Sequence, residues 1–136
     1  MDNEKKVVII TGAAQGIGQA IALEYMNKGF NVVIADIKEK AAEDLQDVLF
    51  LKTDVRNPSD LSRLMEQTMH TYGRIDILVN NAGKMLRKSP YDITVEEWDD
   101  VLNTNLRSVF LASREVAKYM KKNERGGAIV NIASTR

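Results

Sequence analysis

The amino-acid sequence predicts an α/β fold, a doubly wound parallel sheet with helices on both faces. Three observations carry this. Short apolar runs rich in β-branched residues recur along the chain, segments with apolar residues three and four apart lie between them, and glycines and capping residues mark the junctions. Strand and helix are expected to alternate throughout, and right-handed crossovers between successive strands then give a parallel sheet.

Taken in order, the first strand is VVII (Val7 to Ile10), followed by the first helix, whose stripe is Ile17, Ile21 and Tyr25. VVIA (Val32 to Ala35) and VLFL (Val48 to Leu51) follow as the second and third strands. The next helix is announced by NPSD, in which Asn57 caps and Pro58 fits the first turn, and it buries Leu61, Leu64, Met65 and Tyr72. IDILV (Ile75 to Val79) is the fourth strand. The longest helical region, Val95 to Lys122, reads as two helices meeting near Asn103 to Asn105, with Leu106, Val109, Phe110, Val116 and Met120 as its stripe. AIVNIA (Ala128 to Ala133) is the fifth strand. All five strands are expected to be buried on both faces, and Gly29, Gly73 and Gly126 to close helices.

No repeat, low-complexity tract or linker interrupts the sequence, so residues 1–136 are expected to form one domain. Composition narrows the function. The chain is 44% hydrophobic and 28% charged, in the range of globular domains. Its 19 basic and 19 acidic residues are interspersed, which argues against a nucleic-acid partner or an anionic membrane surface. Cysteine is absent, which removes disulfides, thiolate metal sites and cysteine nucleophiles, and no metal is expected. The start MDNEKK lacks a signal-peptide core and no apolar run approaches the ~20 residues a bilayer needs, so a cytoplasmic setting is expected.

The stretch TGAAQGIG, Thr11 to Gly18, sits where the first strand hands over to a helix. Small residues there let backbone N–H groups and a helix N-terminus approach an anion. The spacing is G-x-x-x-G-x-G, which departs from the usual G-x-G-x-x-G fingerprint because Ile21 stands at the third position. Plain turn chemistry is the alternative reading. The second strand ends in Asp36, near the ~20-residue interval expected for an acid that accepts bonds from an adenosine ribose. A carboxylate there would repel a 2′-phosphate, so NAD is favoured over NADP; Lys38 softens that preference. The bland reading of Asp36 is a solvated strand end.

TGAAQGIG, Asp36, the pair Asp54-Val55, NNAG (Asn80 to Gly83), NTN (Asn103 to Asn105) and IVNIAS (Ile129 to Ser134) occur in order along the chain. Together they resemble the N-terminal part of the short-chain dehydrogenase/reductase family. The resemblance implies a Rossmann-type domain, truncated after about the fifth strand, and an oxidoreductase that moves hydride between NAD(H) and a small-molecule alcohol or ketone. It further implies that Gly12, Gln15, Gly16, Ile17 and Gly18 line the pyrophosphate, and that Asp36 and Ile37 meet the adenosine ribose. By the same resemblance Asp54 and Val55 meet the adenine, while Asn81, Ala82 and Gly83 touch the cofactor and tie the sheet together. Ser134 would orient the substrate oxygen and Asn105 would support a proton path. Members of the family commonly form dimers or tetramers, so a homo-oligomer is expected.

The family's Tyr-x-x-x-Lys acid–base pair has no match. Four residues beyond Tyr25, Tyr72, Tyr91 and Tyr119 stand Gly29, Asp76, Val95 and Asn123. The expectation is therefore an N-terminal portion of a longer dehydrogenase, cut by proteolysis or design, that turns over no substrate alone. A non-catalytic NAD-binding module or sensor is the alternative, and an epimerase or dehydratase relative is a third, disfavoured by the glycine spacing. Lys84, Arg87 and Lys88 either edge a pocket for an anionic substrate or form a solvated loop. His70 reads as a surface residue, and Trp98 and Tyr119 as packed ones.

Overall fold

The computed structural model describes residues 5–134. Five parallel strands form one sheet in the order β3-β2-β1-β4-β5. They are β1 (Val7–Thr11), β2 (Asn31–Asp36), β3 (Leu49–Lys52), β4 (Ile77–Asn80) and β5 (Ala128–Asn131). The helices are α1 (Gly16–Asn27), α2 (Pro58–Tyr72), α3 (Val95–Leu102) and α4 (Ser108–Met120), with a π-turn over Asn103–Arg107 joining the last two. This is the α/β, Rossmann-like architecture the sequence predicts.

Alternation of side chains across β1 divides the core into two layers. Val7 and Ile9 pack with Leu61, Leu64 and Met65 of α2 and with Leu111, Ala112 and Val116 of α4. Val8 and Ile10 face the other way, onto Ala22 of α1 and Leu45. Every residue of β1 is buried, as a central parallel strand requires. The caps follow the sequence reading: Asn57 Oδ1 accepts from Ser59 N–H at 2.9 Å with Pro58 in the first turn, and Gly73 closes α2 at φ 77°.

Five expectations need correction. No helix joins β2 to β3; residues 37–48 cross in turns, and about a dozen residues barely suffice to link parallel neighbours. β5 is exposed along its whole length and β3 is at best half-buried, because both lie at sheet edges. In α1 the buried positions are Gly18 and Ala22, whereas Ile17 is 67% exposed. At Gly18 the close approach of Gly12 and Ala13 leaves no room for a side chain, whereas Ile21 and Tyr25 of the expected stripe pack partly against the core. In α4 the buried stripe is Ser108, Leu111, Ala112, Val116 and Met120, while Phe110, and Leu106 in the π-turn before it, face outward. Trp98 is likewise exposed rather than packed; Tyr119 packs partly against the core, and His70 is exposed.

Candidate cofactor site

The chain runs from β1 outward to β3, then returns past β1 to β4, so the carboxyl ends of β1 and β4 flank a topological switch point. Thr11, the last residue of β1, is almost fully buried. Its hydroxyl oxygen accepts from Asn81 N–H and Ala82 N–H, both at 3.0 Å, which binds the loop after β4 to the end of β1. Asn81 Nδ2 donates back to Gly12 O at 3.1 Å. The two loops lie in near contact: a Cβ on Gly12 would fall 2.7 Å from Ala82 Cα, and Gly12 itself adopts φ +66°.

Behind this floor begins α1. Its N-cap Gln15 makes no side-chain capping bond and no acid occupies its first turn, so the helix start keeps its positive character for an anion. Asp36 stands opposite, at the end of β2. Its Oδ2 accepts from Ala14 N–H and its Oδ1 from Lys38 N–H, each at 3.0 Å. Two main-chain donors thus fix a mostly buried carboxylate at the cavity wall. Lys38 reaches over the lip, its ammonium donating to Gln15 Oε1.

The cavity between these elements measures about 460 Å³, within the range of small-ligand sites. The glycine loop contributes Gly12, Gln15 and Gly16, and β2 contributes Asp36 and Ile37. From the β3 loop come Asp54 and Val55, and from the β4 loop Asn81, Ala82 and Gly83. Gly18 lies beneath the floor, where an added Cβ would meet Asn81 Nδ2 and Gly12 O, each at 2.5 Å. Ile17 is not brought in: its side chain lies in an apolar groove with Ile21, Tyr25 and Phe30. A cradle that only glycine can form, an uncapped helix start and a fixed carboxylate at β2 together fit a dinucleotide.

Several participants escaped the sequence reading. Arg56 grips Asp54 bidentately, Nε to Oδ1 at 2.9 Å and Nη2 to Oδ2 at 2.8 Å. That grip holds the Asp54 carboxyl below its ordinary pKa, against an opposing effect of burial. Arg56 also donates to Asp100, which in turn accepts from Lys84. The Lys84 ammonium, then the Arg56 guanidinium, keep the Asp100 carboxyl below the usual carboxylate range. Lys88 pairs with Glu97 at 2.8 Å, so two of the three cations in this loop are bound to α3 carboxylates. Of the three, Lys84 lines the cavity, while Arg87 and Lys88 do not. Thr11 could have been suspected, since a hydroxyl at a strand end preceding a glycine loop suits loop tethering. Asp100 had no local signal.

Asn105 lies within the π-turn that separates α3 from α4. Its amide makes a reciprocal pair with the Lys84 main chain: Lys84 N–H to Oδ1 and Nδ2 to Lys84 O, both at 2.7 Å. A π-turn widens the helix by one residue, which is how an inserted asparagine can leave the helix line to reach another loop. Ser134 is exposed on the segment after β5, at the same end of the sheet; Thr135 and Arg136 lie outside the described residues. Among the described residues no group of three or more His, Asp or Glu side chains could hold a metal ion, and no helix is long and apolar enough to cross a membrane.

Comparison with known proteins follows this geometry. The short chain dehydrogenase family model matches residues 6–136. An uncharacterized oxidoreductase of Thermotoga maritima is 42% identical, covering 98% of this chain and 55% of its own length. The 2-dehydro-3-deoxy-D-gluconate 5-dehydrogenase of Escherichia coli is 37% identical over 96% of this chain and 54% of that protein. Among solved structures, the 3-ketoacyl-(acyl-carrier-protein) reductase of Brucella melitensis, complexed with NADH, superposes with a TM-score of 0.88 at 29% identity, covering 96% of this chain and 57% of that one. The chain spans about half the length of the relatives it matches.

Proposed function

The chain belongs to the short-chain dehydrogenase family, and from that premise we propose that it forms the cofactor-holding half of an oxidoreductase that binds NAD in preference to NADP and acts on a small alcohol or ketone. The observation that carries this reading is the Asp36 carboxylate, fixed by two main-chain N–H bonds at the wall of the cavity. Each oxygen keeps a lone pair for a ribose hydroxyl, and the charge opposes a 2′-phosphate. The nicotinamide group, when bound, supplies the hydride chemistry; Gly12, Gly16 and the α1 start would hold the pyrophosphate, with Asn81 to Gly83 alongside. The NADH-bound Brucella neighbour supports a nicotinamide cofactor. Asn105 and Ser134 are assigned to the substrate side, and the setting to the cytoplasm.

Titration with NADH and NADPH, followed by cofactor fluorescence, tests this. NADH is expected to bind at least about tenfold more tightly, and Asp36→Asn to reduce that ratio to about threefold or less, since a charged hydrogen bond contributes roughly 1.5–3 kcal/mol. Equal or tighter NADPH binding by the unaltered chain defeats the NAD assignment. No Tyr-x-x-x-Lys occurs within residues 1–136. We expect no alcohol oxidation from this chain alone, which a turnover assay with NAD checks.

The outward residues of the long helical region support a homo-oligomer. Val95, Trp98, Leu102, Leu106 and Phe110 are all exposed and recur three or four apart through the π-turn. An apolar stripe of this length suits a second copy docked about a two-fold axis. Sedimentation velocity at micromolar concentration should show a dimer or tetramer for the unaltered chain and a monomer for the Leu106→Glu/Phe110→Glu variant. A monomeric unaltered chain rules the arrangement out.

A further inference from the structure

We infer that Asp100 is a positioning residue of the cofactor cavity, one carboxylate that holds the β3 loop and the β4 loop at their working separation. This rests on the cavity being the cofactor site. The two loops line the cavity through Arg56 and Lys84, and Asp100 divides its oxygens between them, Oδ1 to Arg56 Nη1 and Oδ2 to Lys84 Nζ. Asp100 belongs to α3, and none of the eight residues of α3 is buried. Apolar burial therefore does little to seat this helix. Polar ties do it instead: Asp100 to Arg56 and Lys84, Glu97 to Lys88, the Asn105 amide to the Lys84 main chain, and Arg107 to Arg56 O at 3.4 Å.

An isolated surface ion pair contributes little, but this carboxylate is only 24% exposed and bridges two cations, one of which already grips Asp54 on two prongs. Without its charge, Arg56 keeps its grip on Asp54, but the carboxylate link from Arg56 to Lys84 is lost and no attraction offsets the two cations' mutual repulsion. The β3 loop and the β4 loop, whose main chains form the site, are then free to part. Charge, not shape, is what Asp100 supplies at this position, so glutamate should substitute for it and asparagine should not.

Two measurements on the purified chain test the inference: NADH affinity, and amide hydrogen exchange without ligand. Asp100→Asn is expected to weaken NADH binding five- to tenfold and to speed exchange at the Arg56 and Lys84 amides, leaving β1 and β2 amides unchanged. Asp100→Glu should stay within about threefold of the unaltered chain in affinity. An Asp100→Asn affinity within twofold or tighter, exchange that rises equally in β1 and β2, or a glutamate variant as weak as the asparagine one overturns it. If the unaltered chain binds no dinucleotide, the cofactor reading fails, and the exchange rates at Arg56 and Lys84 alone decide whether Asp100 positions the loops.

Discussion

Alanine in place of Gly18 is expected to weaken NADH binding at least about a hundredfold, a larger loss than from a methyl added at Gly16. The new Cβ would lie 2.5 Å from Gly12 O, 2.5 Å from Asn81 Nδ2 and 2.8 Å from Ala13 Cα. Two of these atoms are main chain. The third could swing away, but only by breaking its bond to Gly12 O, which joins the glycine loop to the β4 loop. Relief must come from α1 moving off the sheet, which withdraws its N-terminus from the cavity; overpacking of this kind costs roughly 1–3 kcal/mol in stability besides. Gly16→Ala is the comparison, because a Cβ there meets nothing within 4 Å and only the φ of +63° is strained, at about 1–2 kcal/mol. Calorimetric titration of both variants with NADH checks the order. A Gly18→Ala affinity within threefold of the unaltered chain would show that the close approach of α1 is not needed.

Thr11→Val should lower the unfolding free energy by about 2–4 kcal/mol, because it leaves two N–H groups without their acceptor at roughly 1–3 kcal/mol each. The valine is the same size as the threonine and adds no clash, so the loss isolates the hydroxyl that accepts from Asn81 and Ala82. Thr11→Ser keeps the oxygen and should lose less than about 1.5 kcal/mol, chiefly the buried methyl. Urea denaturation of the two variants separates these outcomes. NADH affinity should follow the same order, since the β4 loop is placed by that hydroxyl. Equal stabilities for the valine and serine variants would remove Thr11 from the site's construction.

Local chemistry made much of the fold legible. β-branched runs set the strands, Asn57, Pro58 and Gly73 bounded α2, and the asparagines at 103 and 105 marked the break between α3 and α4. The facing of the helices was less legible. A helix with apolar residues on two sides offers two candidate stripes, and in α4 the sheet took Leu111 and Val116 while Phe110, like Leu106 in the π-turn, turned outward. In α1, hydrophobicity pointed to Ile17, but the fully buried positions are Gly18, pressed against Gly12 and Ala13, and Ala22. Periodicity weighs apolar volume; close packing selects its absence.

By itself, the sequence determined the order of the five strands, the glycine loop at the end of β1 and the acid at the end of β2, because each depends on residues near one another in the chain; the helix it implied between β2 and β3 is absent. Tertiary structure alone decided what joins them. Thr11 meets Asn81 across 70 positions and Arg56 meets Asp100 across 44. Those partners become neighbours only because a parallel sheet gathers the carboxyl ends of distant strands along one edge, where a hydroxyl or a carboxylate can serve two loops at once.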